Sequence, residues 1–314
     1  MPFHRVIHTL VACLLLAAAA NAGVRRDDVG DVNFVNLGAD LRYQSVGQFL
    51  YSVGASSYIA SGVLISPEWV LTAAHVVEGD DLLGGGITNM SFTLFSGANS
   101  FVYSAMEWIP HPGWAATSGN VLAGYDIGIV RLSSSVSGFQ PATLYHSDSV
   151  PIQAGTIVGF GASGTGLTGF QNGTTGTKRA GQNMVDAQGD GVSISANLLF
   201  ADFDRPGVPA ESVLGSSTPL ALEYLSAPGD SGGGLFVTEG VNTYLLGVTS
   251  FGWGYTDGIA NSDYGDLAGF TSVRAFEPWI QATTAVPEPG TWAAAALLAA
   301  FAHLRWRRSR IHSN

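Results

Sequence analysis

Three residues have the types and surroundings for acid–base and nucleophilic chemistry: His75, Asp126 and Ser231. Residues 23–286 contain only three histidines, His75, His111 and His146, so an imidazole-based mechanism has few candidates. His75 follows Thr72-Ala73-Ala74, where an apolar strand runs into two small residues that let the backbone pack closely and set a ring at the strand's end. A histidine so placed can equally be a satisfied structural group. His111, between Pro110 and Pro112, and His146, before Ser147, read as loop residues. Asp126 abuts the apolar run Ile127 to Leu132, where a partly buried carboxylate needs a donor such as an imidazole N–H, although a turn aspartate reads the same way. Ser231 lies in Pro228-Gly229-Asp230-Ser231-Gly232-Gly233-Gly234. Glycines on both sides permit a tight turn that aims successive backbone N–H groups at one point, the geometry an oxyanion requires.

The elements that must position these residues are mostly strands. The chain has 314 residues, 46% of them hydrophobic and only 12% charged, and its 41 glycines beside Ser, Thr and Asn favour short strands joined by turns over long surface helices. One series is expected at Ser45 to Val53, Ser61 to Ser66, Trp69 to Ala73, Asn89 to Phe95, Ser104 to Ile109 and Ile127 to Leu132. A second is expected at Gly155 to Gly161, Met184 to Ala187, Gly191 to Ala196, Gly234 to Val237, Tyr244 to Phe251 and Gly269 to Val273. Two sets of about six strands imply two barrels or sandwiches. Gly161 to Gly181 reads as a long surface loop, and Arg274 to Thr284 as the one helix of any length.

Both ends read as addresses. Leu10 to Ala20 is apolar and is followed by Ala20-Asn21-Ala22, the small-x-small pattern of a signal-peptidase site, so residues 1–22 are a signal peptide. At the other end come Val286-Pro287-Glu288-Pro289-Gly290, an apolar segment 291–304, and Arg305, Arg307, Arg308 and Arg310. Apolar residues followed by arginines hold a segment in a membrane with its basic end in the cytoplasm. Residues 286–314 thus resemble the PEP-CTERM sorting signal of Gram-negative bacteria. That resemblance implies removal of the tail by an exosortase, transient association with the inner membrane, and a final place at the cell surface or in the extracellular matrix. The remaining body, 23–286, has 8 basic against 23 acidic residues, a net charge of −15. Such a surface repels phosphate backbones, which excludes nucleic acid as a partner. The single cysteine, Cys13, falls in the signal peptide, so disulfides, Cys-ligated zinc and a Cys nucleophile are excluded from the body. No metal or cofactor is expected.

Thr72-Ala73-Ala74-His75, the strand start at Asp126-Ile127, and Gly229-Asp230-Ser231-Gly232-Gly233, in that order, resemble a chymotrypsin/trypsin-like serine protease. The resemblance implies an all-β fold of two six-stranded antiparallel barrels with a short C-terminal helix. An N-terminal segment 23–42 would precede the protease domain 43–285, with barrels at about 43–145 and 150–285. It also implies a peptide substrate, Ser231 as nucleophile, His75 as general base, Asp126 as orienting acid, and an oxyanion hole from the N–H groups of Gly229 and Ser231. Leu225, six before the serine, would lie at the base of the primary specificity pocket, with Ser250, Phe251, Gly252 and Ala268 as walls and an apolar preference. Ala60, Val76 and Ala227 stand where the family has cysteines. Phe34-Val35-Asn36-Leu37-Gly38 occupies the place of the activation sequence without matching it, which leaves the partner of the structural acid Asp230 undefined. The competing reading is an inactive protease-like surface module that binds polysaccharide or protein.

Overall fold

The computed structural model describes residues 23–78, 86–147, 149–192 and 194–285. The expected signal peptide, 1–22, and sorting tail, 286–314, therefore lie outside the described residues. Residues 23–42 are more than a lead-in: they form strand β1 (Gly23–Arg25) and helix α1 (Asp31–Gly38). Asp31 sits in the first turn of α1, where a negative charge is favoured, and takes a bidentate bond from Arg179 at 2.7 and 2.6 Å. Phe34 buries against Tyr224. Phe34 to Gly38 is thus helical and not an extended activation-like sequence.

The first barrel follows from alternation. In β5 (Ile87–Ser96) Met90, Phe92 and Leu94 point inward at every second position, and Phe92 meets Phe49 of β2 (Val46–Val53) at 5.0 Å between ring centroids. Each such side chain contributes roughly 1.5–3 kcal/mol by leaving water. With β3 (Ser56–Ser66), β4 (Trp69–Thr72), β6 (Asn99–Pro110) and β7 (Gly128–Leu132) they close in the order β2-β3-β4-β7-β6-β5, leaving no free edge. Short helices α2 (Ala74–Glu78) and α3 (Pro112–Ala116) interrupt the connections, and His111 caps α3 by accepting the Gly113 N–H.

The second half comprises β8 (Thr143–Leu144), β9 (Ala154–Gly159), β10 (Ser163–Thr165), β11 (Gly169–Gln171), β12 (Arg179–Met184), β13 (Ala187–Gln188), β14 (Leu198–Asp202), β15 (Tyr224–Leu225), β16 (Gly234–Glu239), β17 (Asn242–Trp253) and β18 (Leu267–Ser272). Its main sheet runs β12-β9-β16-β17-β18-β14-β13 with β8 against β17, and a smaller sheet runs β11-β10-β1-β15. The fold is the mostly β, double-barrel class expected, with the second barrel an open sheet. The loop expected over Gly161 to Gly181 contains β10 and β11, and the strand expected at Gly191 to Ala196 is absent, its first residues lying in the 3-10 turn Gly189–Val192. The chain divides at Arg274, and the unit that follows carries helix α4 (Glu277–Thr284). No helix among the described residues is long and apolar enough to cross a membrane.

Candidate active site

Antiparallel pairing brings the first two candidates together. β4 pairs with β7 so that Thr72 faces Gly128, which puts His75, three residues past one strand, beside Asp126, two residues before the other. Asp126 is fully buried. Its Oδ1 accepts the His75 backbone N–H at 2.9 Å and its Oδ2 pairs with His75 Nδ1 at 2.8 Å. The Ser250 hydroxyl donates to the same Oδ2 at 2.5 Å. Burial works against ionisation, but the charge and hydrogen bonds of His75 and the Ser250 hydroxyl outweigh it and hold this carboxyl below its ordinary value. An ionised Asp126 fixes the ring with its N–H at Nδ1, leaving Nε2 as the basic nitrogen.

Ser231 sits in the loop between β15 and β16, held by the first barrel. Ser61 of β3 donates its N–H to Ser231 O at 2.8 Å and its hydroxyl to Gly229 O at 2.9 Å. Gly232 has φ +82°, and a Cβ there would come within 2.0 Å of Thr72 Oγ1 and 2.2 Å of Ser61 O, so only glycine lets the loop approach this closely. Gly229 also has a positive φ, +96°. Three N–H groups of the loop are already engaged: Asp230 donates to Ala227 O and Gly233 to Asp230 O within the loop, and Gly232 donates to Thr249 O of β17. Among the described residues those of Gly229 and Ser231 donate to no protein acceptor. His75, Gly229 and Ser231 line one cavity of about 410 Å³, and Ser231 also borders a second of about 260 Å³.

A sequence profile of the trypsin family matches residues 40–280. The chain belongs to the trypsin family. It is 28% identical to trypsin of Xenopus laevis over 88% of this chain and 98% of that one. It is 28% identical to chymotrypsin-like elastase family member 1 of Bos taurus, covering 73% and 80%, and 27% identical to brachyurin of Leptuca pugilator, covering 73% and 89%. Serine proteases act on peptide bonds, so peptides are the substrate class of this family.

In this trypsin-family chain three of the five residues expected at a specificity pocket share one cavity. Ser250, Phe251 and Gly252 line the 260 Å³ cavity, but Leu225 and Ala268 do not. Leu225 pairs with Val24 of β1 and Ala268 with Gly252, and both side chains are fully buried in the second core. Ser226, Ala260 and Ser262 take their place. β15 tucks Leu225 into the sheet. Asp230, fully buried, is satisfied by the N–H groups of Gly161 at 2.7 Å and Ala227 at 2.9 Å. Burial nevertheless pushes it up to about 7. Ala60 and Val76, at positions of absent cysteines, are buried and packed instead.

Two functional contributors were invisible in the sequence. Ser61, a polar residue at 0% exposure, also accepts the Phe160 N–H at 2.9 Å and so joins both halves beneath the Ser231 loop. Ser250 was legible only as a pocket wall. A serine in a strand carries no mark of its partner, and only the fold brings Asp126 to it.

Proposed function

We propose that this chain is an exported serine endopeptidase that works through an acyl-enzyme. Ser231 Oγ attacks the substrate carbonyl carbon while His75 Nε2 takes its proton, and His75 then gives that proton to the leaving amine as the C–N bond breaks. Water repeats the sequence on the ester and frees Ser231. Asp126 holds the imidazole tautomer and stabilises its cation. The undonated N–H groups of Gly229 and Ser231 bind the tetrahedral oxyanion, each worth about 3–4 kcal/mol in comparable sites. The observation that carries this reading is the 2.8 Å bond from His75 to buried Asp126 at the cavity that Ser231 also lines.

For the residue before the scissile bond, the proposed pocket is the 260 Å³ cavity. Its lining contains no carboxylate, and Phe251 and Ala260 supply apolar wall. A buried Lys or Arg would stay unpaired there, so a medium or large apolar side chain is preferred. Asp266, beside the wall residue Ser262, spends Oδ2 on the N–H groups of Asn261 and Ser262. Peptides differing only at that residue test the pocket: dominant cutting after Lys or Arg points to Asp263 or Asp266 instead.

Export is proposed to remove residues 1–22 and the PEP-CTERM tail 286–314, through signal peptidase and exosortase. In support, Ala20-Asn21-Ala22 has the small-x-small pattern of a signal-peptidase site, and Pro287-Glu288-Pro289 precedes an apolar run and four arginines. A fluorophosphonate probe followed by peptide mapping tests the central assignment. Labelling of Ser231, abolished in Ser231→Ala, is the expected result; an unlabelled folded protein refutes it.

A further inference from the structure

The chain's one lysine, Lys178, takes no part in the peptidase reading. It stands just before β12, where α1 clamps the chain from outside. Arg179 bonds Asp31 of α1 at 2.7 and 2.6 Å, and a Cβ on Gly38, at the end of α1, would come within 2.9 Å of the Arg179 backbone. Beside that clamp Lys178 donates from Nζ to Tyr43 O at 2.6 Å, its one hydrogen bond among the described residues. Burial pushes the ammonium down to about 7, and no acid offsets that shift.

Lys178 lines a cavity of about 360 Å³, a volume within the range of small-ligand sites. Phe95, Phe139, Phe160 and Leu41 give the cavity apolar wall. Rings hold these rings: Phe95 meets Phe160 at 5.4 Å between centroids, and Phe101, outside the cavity, meets Phe139 edge-on at 5.4 Å. Asp40 also borders the space, but Arg42 occupies both of its oxygens. Oδ1 accepts the Arg42 backbone N–H at 2.9 Å and Nε–H at 3.1 Å, and Oδ2 accepts from Nη2 at 2.7 Å. The cavity shares no residue with the two that Ser231 borders. A body with 23 acids thus leaves its lysine without one, at the wall of a ring-lined space.

We infer that this cavity binds a monocarboxylate with an aromatic body, its carboxylate on Lys178 and its ring among Phe95, Phe139 and Phe160. An ammonium drawn out of water without a counter-charge is costly, and a carboxylate supplies that charge through a charge-assisted hydrogen bond. The ammonium has three donors, so one remains for Tyr43 O. A ligand ring packs offset or edge-on against the wall rings. A neutral apolar molecule would leave the cation unmet, and a phosphate dianion would lose more hydration than one lysine returns. Two sources carry this chemistry: a free aromatic acid, and the C-terminal residue of a peptide.

The test uses the full chain carrying Ser231→Ala, which removes self-digestion and leaves this cavity untouched. Calorimetric titration at neutral pH with phenylacetate is expected to show a saturable site with Kd at or below about 1 mM. Phenylacetamide, of the same shape without the charge, is expected to bind about tenfold more weakly or worse. A short peptide ending in phenylalanine, with its carboxylate free or amidated, reads the second source: tighter binding of the peptide acid than of phenylacetate assigns the site to peptide ends, and the reverse to free acids. Lys178→Met is expected to remove the preference for acid over amide, and Phe139→Ala, at a partly exposed ring, to weaken phenylacetate about fivefold. No binding of either acid at about 10 mM, equal binding of acid and amide with Lys178 in place, or binding unchanged in both variants overturns the inference.

Discussion

The two halves solve the same problem, holding loops in place, by different means. Among the described residues the first barrel buries one ionisable side chain, Asp126, whereas the second half buries Arg179, Asp202, Asp204, Glu223, Asp230 and Asp266. A closed barrel leaves few backbone groups to satisfy, since each strand bonds two neighbours. An open sheet with long connections must satisfy loop N–H groups with side chains. Asp230 does so for Gly161 and Ala227, Asp266 for Asn261 and Ser262, and Asp202 for Val213 and Leu214. Rigid packing in one half and carboxylate-organised loops in the other meet at Ser61. The lesson is that a chain without disulfides in its body can fix its loops by charge.

The comparison is broken most forcefully at the site both halves share. Ser231→Ala and His75→Ala, one from each half, are each expected to lower kcat/KM by about 10³-fold or more, and the double variant by little further, because the groups act as a unit. Additive losses measured with a chromogenic peptide would show that the halves work separately.

At the join, Gly232→Ala drives a Cβ into Thr72 and Ser61 and strains a positive φ, at a cost of about 3 kcal/mol. Denaturant unfolding measures it. A loss below about 1 kcal/mol means that the loop is not clamped.

The pH dependence sharpens the contrast. Burial pushes Asp230 and Asp266 up to about 7, so across pH 4–7 the folded chain binds protons that the unfolded chain has released. Their contribution to stability is present at the acid end and is lost as pH rises to 7. His111, lowered by burial, pulls the other way, while Asp126 and Asp31, held low, add no slope in the upper part of that window. The pH dependence of melting between pH 5 and 8 should become flatter in Asp266→Asn. An unchanged slope removes that acid from the account.

Smaller still, Ser250→Ala takes one donor from Asp126 while His75 keeps two bonds to it, so kcat is expected to fall about tenfold or less. Leu50→Gln, at a half-exposed position on β2, should shift stability by no more than about 0.5 kcal/mol.

What the sequence made legible divides along the same line. The first barrel's strands were readable because alternation and turn residues agree there, and β2, β4 and β7 fall within a few residues of their expected ends. His75, Asp126 and Ser231 were readable from local strings. In the second half short pieces such as β10 and β15 carry too little alternation to register, and α1 was hidden because only Phe34 and Gly38 of its eight residues bury. Which residue at the end of β15 borders the cavity was hard to read for a related reason. Whether Leu225 or Ser226 faces the cavity depends on one step of strand register, and in a strand a single step reverses the face.

The placement of β1 carries a consequence for timing. It is made first, yet its partners are Ser163 to Thr165 and Tyr224 to Leu225, so it waits while most of the chain is synthesised. The loop bearing Ser231 begins directly after that last partner, with the serine six residues on. Under the peptidase reading, a partly emerged chain, still without a docked β1 beside the Ser231 loop, has no finished blade with which to cut its neighbours.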